Sequence, residues 1–340
     1  MGVTIADVAR AAGVGKATAS RALSGRGYAR SDTAAHVIAV AEGLGFVASR
    51  RAVNLVNGTS RLLAVWLPST RTAWAHDILD GIIATASGAR FGVLVSTEDG
   101  IGPGSSDLVE DARAGCFDGL VVVDTRDAAF ASMDPPYAGF PVVLVGGVPG
   151  TRPAQVTTTD RQGAEDAARH VLGTGRKRLA MIAGPGTLPA MRARGDGFSS
   201  AAAAGGRPLD PHLVVECDLT ADGGHAACRA LLARGIPFDG LFAHNDLSAI
   251  GAMQALAEAG RHVPNDVVVV GFDDIPAAAL VTPSLSTVAQ PGTAMGHAAA
   301  EMLLAMLSGE PVPAGPVVVP TSFVPRASTL TPSRQDVAER

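Results

Sequence analysis

Aromatic residues make up only 4% of the 340 residues and charged residues only 17%. A net charge of −5 argues against a chain that coats nucleic acid through bulk charge. The three cysteines, Cys116, Cys217 and Cys228, show no C-x-x-C spacing, and an odd count suits a reducing compartment better than a disulfide framework, so all three are expected to be core thiols. No basic-then-apolar secretion signal opens the sequence, and no apolar run approaches the ~20 residues that span a bilayer. A soluble cytoplasmic protein without membrane contact is expected. The sequence lacks G-x-S-x-G, H-E-x-x-H, G-x-x-x-x-G-K-[ST] and any G-x-G-x-x-G after a strand, and its eight histidines show no ligand spacing. Catalysis, a metal and a cofactor are therefore not expected.

What is present is unevenly distributed. Through residue 60 the basic residues are Arg10, Lys16, Arg21, Arg26, Arg30, Arg50 and Arg51, against Asp7, Asp32 and Glu42, a net of +4 that leaves −9 for the rest. This basic segment reads as a separate module with a polyanionic partner, attached to a body long enough for two further cores.

From Thr4 to Phe46 apolar residues recur at three- and four-residue spacing, which predicts three short helices. Thr4 and Asp7 form a T-x-x-D box that caps the first helix. Gly13 breaks that helix, the AAGVG turn sends the second across it, and Ser31 is expected to cap the third. After Ser60 the sequence alternates short apolar runs with stretches of helical length. The runs lie at 62–67, 91–96, 119–124, 141–146, 178–184, 213–217, 240–244, 267–273 and 317–320. Continuous rather than alternating apolar character predicts strands buried on both faces, hence parallel sheets flanked by helices, and so many strands predict two lobes. No tandem repeat at a solenoid period is present.

The stretch VTIADVARAAGVGKATASRALSG resembles the headpiece of the lactose-repressor (LacI/GalR) family, whose pattern is V-T-[IL]-x-D-V-A-x-x-A-G-V-S-x-x-T-V-S-R-x-L-N. LGFVASRRAVNLVNG is similar to the family's hinge, and the likeness continues to about residue 325. The resemblance implies a multi-domain chain: an all-α helix-turn-helix headpiece (1–47), a hinge helix and linker (48–60), and an α/β periplasmic-binding-protein-like body of two doubly wound parallel-sheet lobes (61–330). Within the body, the N-lobe is expected over 61–159 and 290–319 and the C-lobe over 160–289 and 320–330, with a tail at 331–340. The second helix would lie in the major groove of an operator, where Lys16, Ala17 and Arg21 face base edges while Thr18 and Ser20 hold phosphates. Thr4 joins this DNA-contacting set, as do Arg50, Ala52 and Leu55 of the hinge, where a leucine from each subunit of a homodimer wedges into the minor groove of a pseudo-palindrome. Gly15, Arg30, Ala34 and Ala48 depart from the family pattern in ways that predict weaker binding or a shallower salt dependence. A three-helix protein-interaction module and a bland linker are the alternatives.

The resemblance also implies a small-molecule effector, sugar-like, bound between the lobes beyond the carboxyl ends of the strands. Trp74 and Ile78 follow the first strand of the body. Arg194 matches the arginine of an R-x-x-G-[FW] pattern, and Asn245 and Asp273 stand at two further strand ends, with Asp246 expected to cap the next helix. Leu219 occupies a position that often carries an aromatic, which argues against a simple hexose. The function expected is a sequence-specific transcription regulator, a repressor under allosteric control. A binding protein or enzyme that uses the same body with a vestigial headpiece is the alternative.

Overall fold

A computed structural model describes residues 3–24, 31–46, 58–69, 73–102, 104–123, 139–147 and 154–330. The chain divides into two compact units, Met1–Ser60 and Arg61–Arg340.

The first unit holds α1 (Ile5–Ala11), α2 (Lys16–Ser24) and α3 (Ser31–Gly43). Thr4 caps α1 as a full capping box. Its backbone N–H and hydroxyl both donate to Asp7, at 3.0 and 2.6 Å, and these bonds hold the Asp7 carboxyl below the usual range. Gly13, at φ +67°, makes the turn into α2, a left-handed conformation that costs glycine nothing. Ser31 is already the first residue of α3 rather than its cap. The core is small: Val8, Ala9 and Ala12 of α1 and its C-cap meet Ala19 and Ala22 of α2 and Val37 and Ala41 of α3.

In the second unit the chain runs β1 (Leu62–Leu67), α4 (Ala73–Gly88), β2 (Gly92–Thr97), α5 (Ser105–Arg113), β3 (Gly119–Val123), β4 (Val142–Val145) and β5 (Gln155–Thr158). It continues through α6 (Asp160–Gly173), β6 (Leu179–Ala183), α7 (Pro189–Ala204), β7 (Val214–Glu216), α8 (Ala221–Ala233), β8 (Gly240–Ala243), α9 (Asp246–Glu258) and β9 (Val268–Val270). It ends with α10 (Pro276–Leu280), β10 (Thr287–Ala289), α11 (Gly292–Ser308), β11 (Val317–Val319) and β12 (Ser322–Val324). Two parallel sheets result, of order β11-β5-β4-β3-β1-β2 and β7-β6-β8-β9, with β10 and β12 as an antiparallel pair.

Burial on both faces explains the unbroken apolar runs, each of which overlaps a strand. In β1, Leu63, Val65 and Leu67 pack under α4 and α11, while Ala64 and Trp66 face the opposite layer with Leu108 and Ala112 of α5. The second sheet is likewise covered by α8 and α9 on one face and by α6 and α7 on the other. Three strands fall outside the expected runs. β5 reads QVTT, yet Gln155 is fully buried because its amide donates to the Gly146 carbonyl at 2.7 Å. β10 and β12 are too short for a periodic signal.

The chain passes between the sheets at Thr159, at Gln290–Pro291 and between β11 and β12. Two passages are bonded together: the Thr321 N–H donates to the Thr159 hydroxyl at 2.9 Å, and the two hydroxyls lie 2.9 Å apart. Helix pairs meet through glycine. A Cβ on Gly251 of α9 would run into the Ala221 carbonyl oxygen of α8, and one on Gly296 of α11 into that of Ile78 of α4. Backbone cannot move aside as a side chain can, so Gly251→Ala should destabilise the body by about 1–3 kcal/mol through overpacking. Gly173→Ala, where a Cβ meets nothing within 4 Å, should be neutral or stabilising. Equilibrium denaturation of both variants checks this, and equal stabilities would show that α8 and α9 have room to separate.

Candidate functional site

A cavity of about 410 Å³ opens beyond the carboxyl ends of both sheets. Each contributing strand supplies lining at its end: Pro68 and Ser69 after β1, Glu98 after β2, Gly146 after β4 and Thr158 closing β5, then Asp218 and Leu219 after β7, Asn245 after β8 and Asp273 after β9. Trp74 of α4, Asp160 of α6, Met191 and Arg194 of α7, and Gln290 of the second passage complete the part that the chemistry uses.

Arg194 anchors the floor. On α7 it falls in line with Met191, Gly197 and Phe198, the stripe that faces the sheet, so helical periodicity drives a cation inward. Its relative exposure is 3%, and a buried guanidinium must be matched bond for bond. Nε donates to Asp160 at 2.8 Å, and one terminal nitrogen donates to the His244 carbonyl at 2.5 Å and to Asp273 at 3.3 Å. The guanidinium carbon sits 3.7 Å from the centre of the Phe272 ring, a cation–π contact. Asp160 is the first residue of α6. His244 stays neutral, since burial, and then Arg194, push it down to about 3. Its Nδ1 accepts from the Gly184 N–H at 3.0 Å, which leaves the proton on Nε2, 3.3 Å from the Met181 sulfur.

Asp273 and Asp274 follow β9 with φ of 115° and 60°, a conformation rare for side-chain-bearing residues and stored here at the cavity rim. Asp273 accepts from the Gln290 amide at 2.6 Å, and Asp274 pairs with Arg326 at 2.6 Å. Asn245, rather than Asp246, caps α9, accepting from the Ser248 N–H at 3.0 Å while its amide donates to the Leu219 carbonyl at 2.8 Å. That bond holds Leu219 at φ +67°. Asp246, fully buried, accepts from the Ile275 N–H at 2.9 Å and the Thr287 hydroxyl at 2.5 Å, and burial, with Asp273 nearby, raises it well above the usual range.

The structure thus brings Trp74, Arg194, Leu219, Asn245 and Asp273 into one cavity. Ile78 is not among them: it is fully buried one turn beyond Trp74, where its backbone meets Gly292 and Gly296 of α11. Thr158, Asp160, Met191 and Gln290 escaped the sequence reading, the first because its strand is polar. On α2, Lys16, Ala17, Ser20 and Arg21 are exposed and Thr18 is half-buried, while Ala19 and Ala22 turn inward. Thr4 is exposed beside Asp7. Arg50, Ala52 and Leu55 lie outside the described residues. Of the three thiols only Cys228 is buried, which pushes it up to about 12; Cys217 is half-buried, and Cys116 is exposed after α5 rather than in a core.

Burial raises Asp273 to about 6 despite Arg194 and the Gln290 hydrogen bond, whereas an ordinary aspartate titrates near 3.8. Its contribution to stability is therefore complete below about pH 4 and lost as pH rises through about 6. Asp246 acts in the same direction. Acidification from about pH 7.5 to 5.5 loses stability through His244, held neutral by burial, and gains it through Asp273 and Asp246, so the Asp273 share is read as the difference between the wild type and Asp273→Asn. In Asp273→Asn the change in melting temperature on acidification should be less favourable than in the wild type, and the variant at the higher pH should melt at or above the wild type, since Asp160 remains on Arg194. Calorimetry on both proteins tests this; a much less stable variant with an undiminished slope would exclude it.

A model of the lacI family of bacterial regulatory proteins matches residues 4–49, and one of the periplasmic binding protein-like domain matches residues 168–329. The HTH-type transcriptional regulator CelR of Thermobifida fusca is 33% identical over 324 residues, spanning 90% of this chain and 92% of its own. Among solved structures, the lac repressor dimer bound to operator and the anti-inducer ONPF matches with a TM-score of 0.86 at 25% identity, covering 97% of this chain and 100% of that one. A transcriptional regulator CelR–cellobiose complex matches with a TM-score of 0.72 at 29% identity, covering 96% of this chain and 99% of that one.

Proposed function

This chain belongs to the LacI family of bacterial regulatory proteins, a DNA-binding transcription regulator, and we propose that it is a dimeric repressor whose grip on its operator is set by a sugar-like effector in the cavity around Arg194. The observation that carries the effector half is the placement of Trp74, Arg194, Asn245 and Asp273 around one cavity at the ends of two parallel sheets. In open α/β sheets this is where ligands bind, and a ligand reaching both sheets favours their closed arrangement. CelR, a relative, has been solved with cellobiose.

For the DNA half, α2 carries no acidic residue in its first turn and exposes Lys16, Ala17, Ser20 and Arg21. Arg21 donates to guanine, Lys16 reads a neighbouring base edge, Ala17 offers a methyl contact, and Thr18 and Ser20 hold phosphates. Thr4 bonds a phosphate from the start of α1. Arg50, Ala52 and Leu55 serve the minor groove. Dimerisation is supported by the dimeric lac repressor, and Leu280, 81% exposed, is an apolar side chain of the kind an interface covers.

Two variants separate the halves. Arg21→Ala should lose about 1–3 kcal/mol of discrimination at one base pair of each half-site while the body stays folded. Selection of binding sites from random duplexes, run on both proteins, reads this directly, and identical selected sequences would remove Arg21 from base recognition. Arg194→Ala should abolish the effector's influence on DNA binding but not binding itself. An undiminished response in a gel-shift titration would move the effector site elsewhere.

A further inference from the structure

We infer that Arg61 and Asp118 form a joint that sets the heading at which the DNA-binding segment leaves the first sheet, and that operator affinity depends on this joint through backbone geometry rather than charge. This rests on the segment before residue 60 being the part that grips DNA.

Among the described residues, five other than glycine hold a positive φ, and four of them have local reasons. Leu219 and Asp273 line the cavity, and Asp274 adjoins Asp273. Arg90 follows the end of α4, where the Phe91 N–H turns back to the Ala86 carbonyl at 2.8 Å. Arg61, at φ 56°, lies at neither a helix end nor the cavity. It is the residue before β1, and the second compact unit begins with it. A side chain costs energy in this conformation, so something must hold the residue there.

Both flanks of β1 supply the hold. The Arg61 N–H donates to the Asp118 carboxylate at 2.8 Å, and the Arg61 carbonyl accepts from the Gly92 N–H at 2.9 Å. The guanidinium carbon lies 4.9 Å from the centre of the Phe91 ring, and the Asp118 N–H returns to the Leu62 carbonyl at 2.8 Å. Gly92 opens β2 and Asp118 precedes β3, the two strands that pair with β1. The bond from Gly92 merely extends the ladder. The carboxylate bond does something else: it fixes the N–H, hence the peptide plane between Ser60 and Arg61 and the direction from which the chain arrives. Without it φ relaxes to the common region near −60°, a swing of roughly 120° that redirects every residue before Arg61.

The joint lies at the amino ends of the strands, whereas the cavity lies beyond their carboxyl ends, and β1 runs from one to the other, with Pro68 after it in the cavity wall. Five of the six residues of β1 are buried, so the strand is a stiff link. The heading of the DNA-binding segment is tied to the body only while the joint holds. Charge alone gives the opposite expectation. An acid at the root of a DNA-binding segment repels phosphate, so its removal would strengthen binding, and the exposed Arg61 side chain would attract phosphate.

The test uses the full chain and a duplex carrying the site that the wild type selects from random sequences, with salt held fixed. Asp118→Ala should weaken binding about fivefold, the worth of one hydrogen bond, and Asp118→Asn, whose amide oxygen still accepts the N–H, should restore most of it. Arg61→Gly, free to take either sign of φ, should weaken binding by a similar factor while the melting temperature stays level or rises. The two changes should not add, since a joint already freed cannot be freed again. Tighter binding by Asp118→Ala and Asp118→Asn alike would reduce the acid to a repulsive charge and overturn the joint. So would unchanged binding by Arg61→Gly, or a loss accompanied by a salt dependence shallower by about one, the mark of a phosphate contact. A wild-type chain that selects no duplex would overturn the DNA-binding reading on which the joint rests, whereas the other outcomes leave that reading standing.

Discussion

The body is organised around one buried cation. Arg194 ties the start of α6 to the end of β9 through Asp160 and Asp273, and holds the end of β8 through the His244 carbonyl. Such an arrangement is poor value as a stabiliser, because desolvating a guanidinium and its carboxylates offsets most of their attraction, and a well-packed apolar cluster would hold the same elements as firmly. What ionic groups offer and apolar ones do not is direction. Asp160 fixes the guanidinium plane from one edge, the His244 carbonyl and Asp273 from another, and Phe272 from below, so the floor of the cavity presents a defined face before any ligand arrives.

That face is bonded to the segments in which the chain passes between the sheets. Gln290 lies where the chain passes from β10 to α11, lines the cavity, and donates to Asp273. Asp160 follows Thr159, the residue bonded to Thr321 at another passage. A ligand that shifts Asp273 or Asp160 therefore acts on two of the three passages through one intervening bond each. This is a physical route by which occupancy biases the relation of the sheets, and linkage then requires DNA to alter effector affinity by the same factor.

Most of this was legible in the sequence where burial is uniform and illegible where a residue serves two masters. The nine apolar runs mark strands because both faces of each sheet are covered, so no polar alternation interrupts them. β5 went unseen since a buried glutamine and three hydroxyl- or methyl-bearing neighbours look like a loop until the Gly146 carbonyl is placed opposite Gln155. Thr158 was lost with it. Arg194 was found through its R-x-x-G-F spacing, but its partner Asp160 lies 34 residues away, beyond any local pattern. Ile78 was misplaced by one helical turn: Trp74 faces the cavity, whereas the next turn is pressed against Gly296. Asn245 and Asp246 exchanged roles because either side chain can cap a helix, and only the buried Thr287 hydroxyl and Ile275 N–H draw the aspartate inward.

The division of charge along the chain completes the mechanism. With −9 spread over the residues beyond 60, the body offers a phosphate backbone repulsion, and the seven cations before that point must supply the attraction. These seven cations face only three acids within the same segment, so the attraction is local to it. Because the attraction is confined to the headpiece segment, a coupling of about 1–3 kcal/mol from a ligand in the body shifts the balance between bound and free DNA.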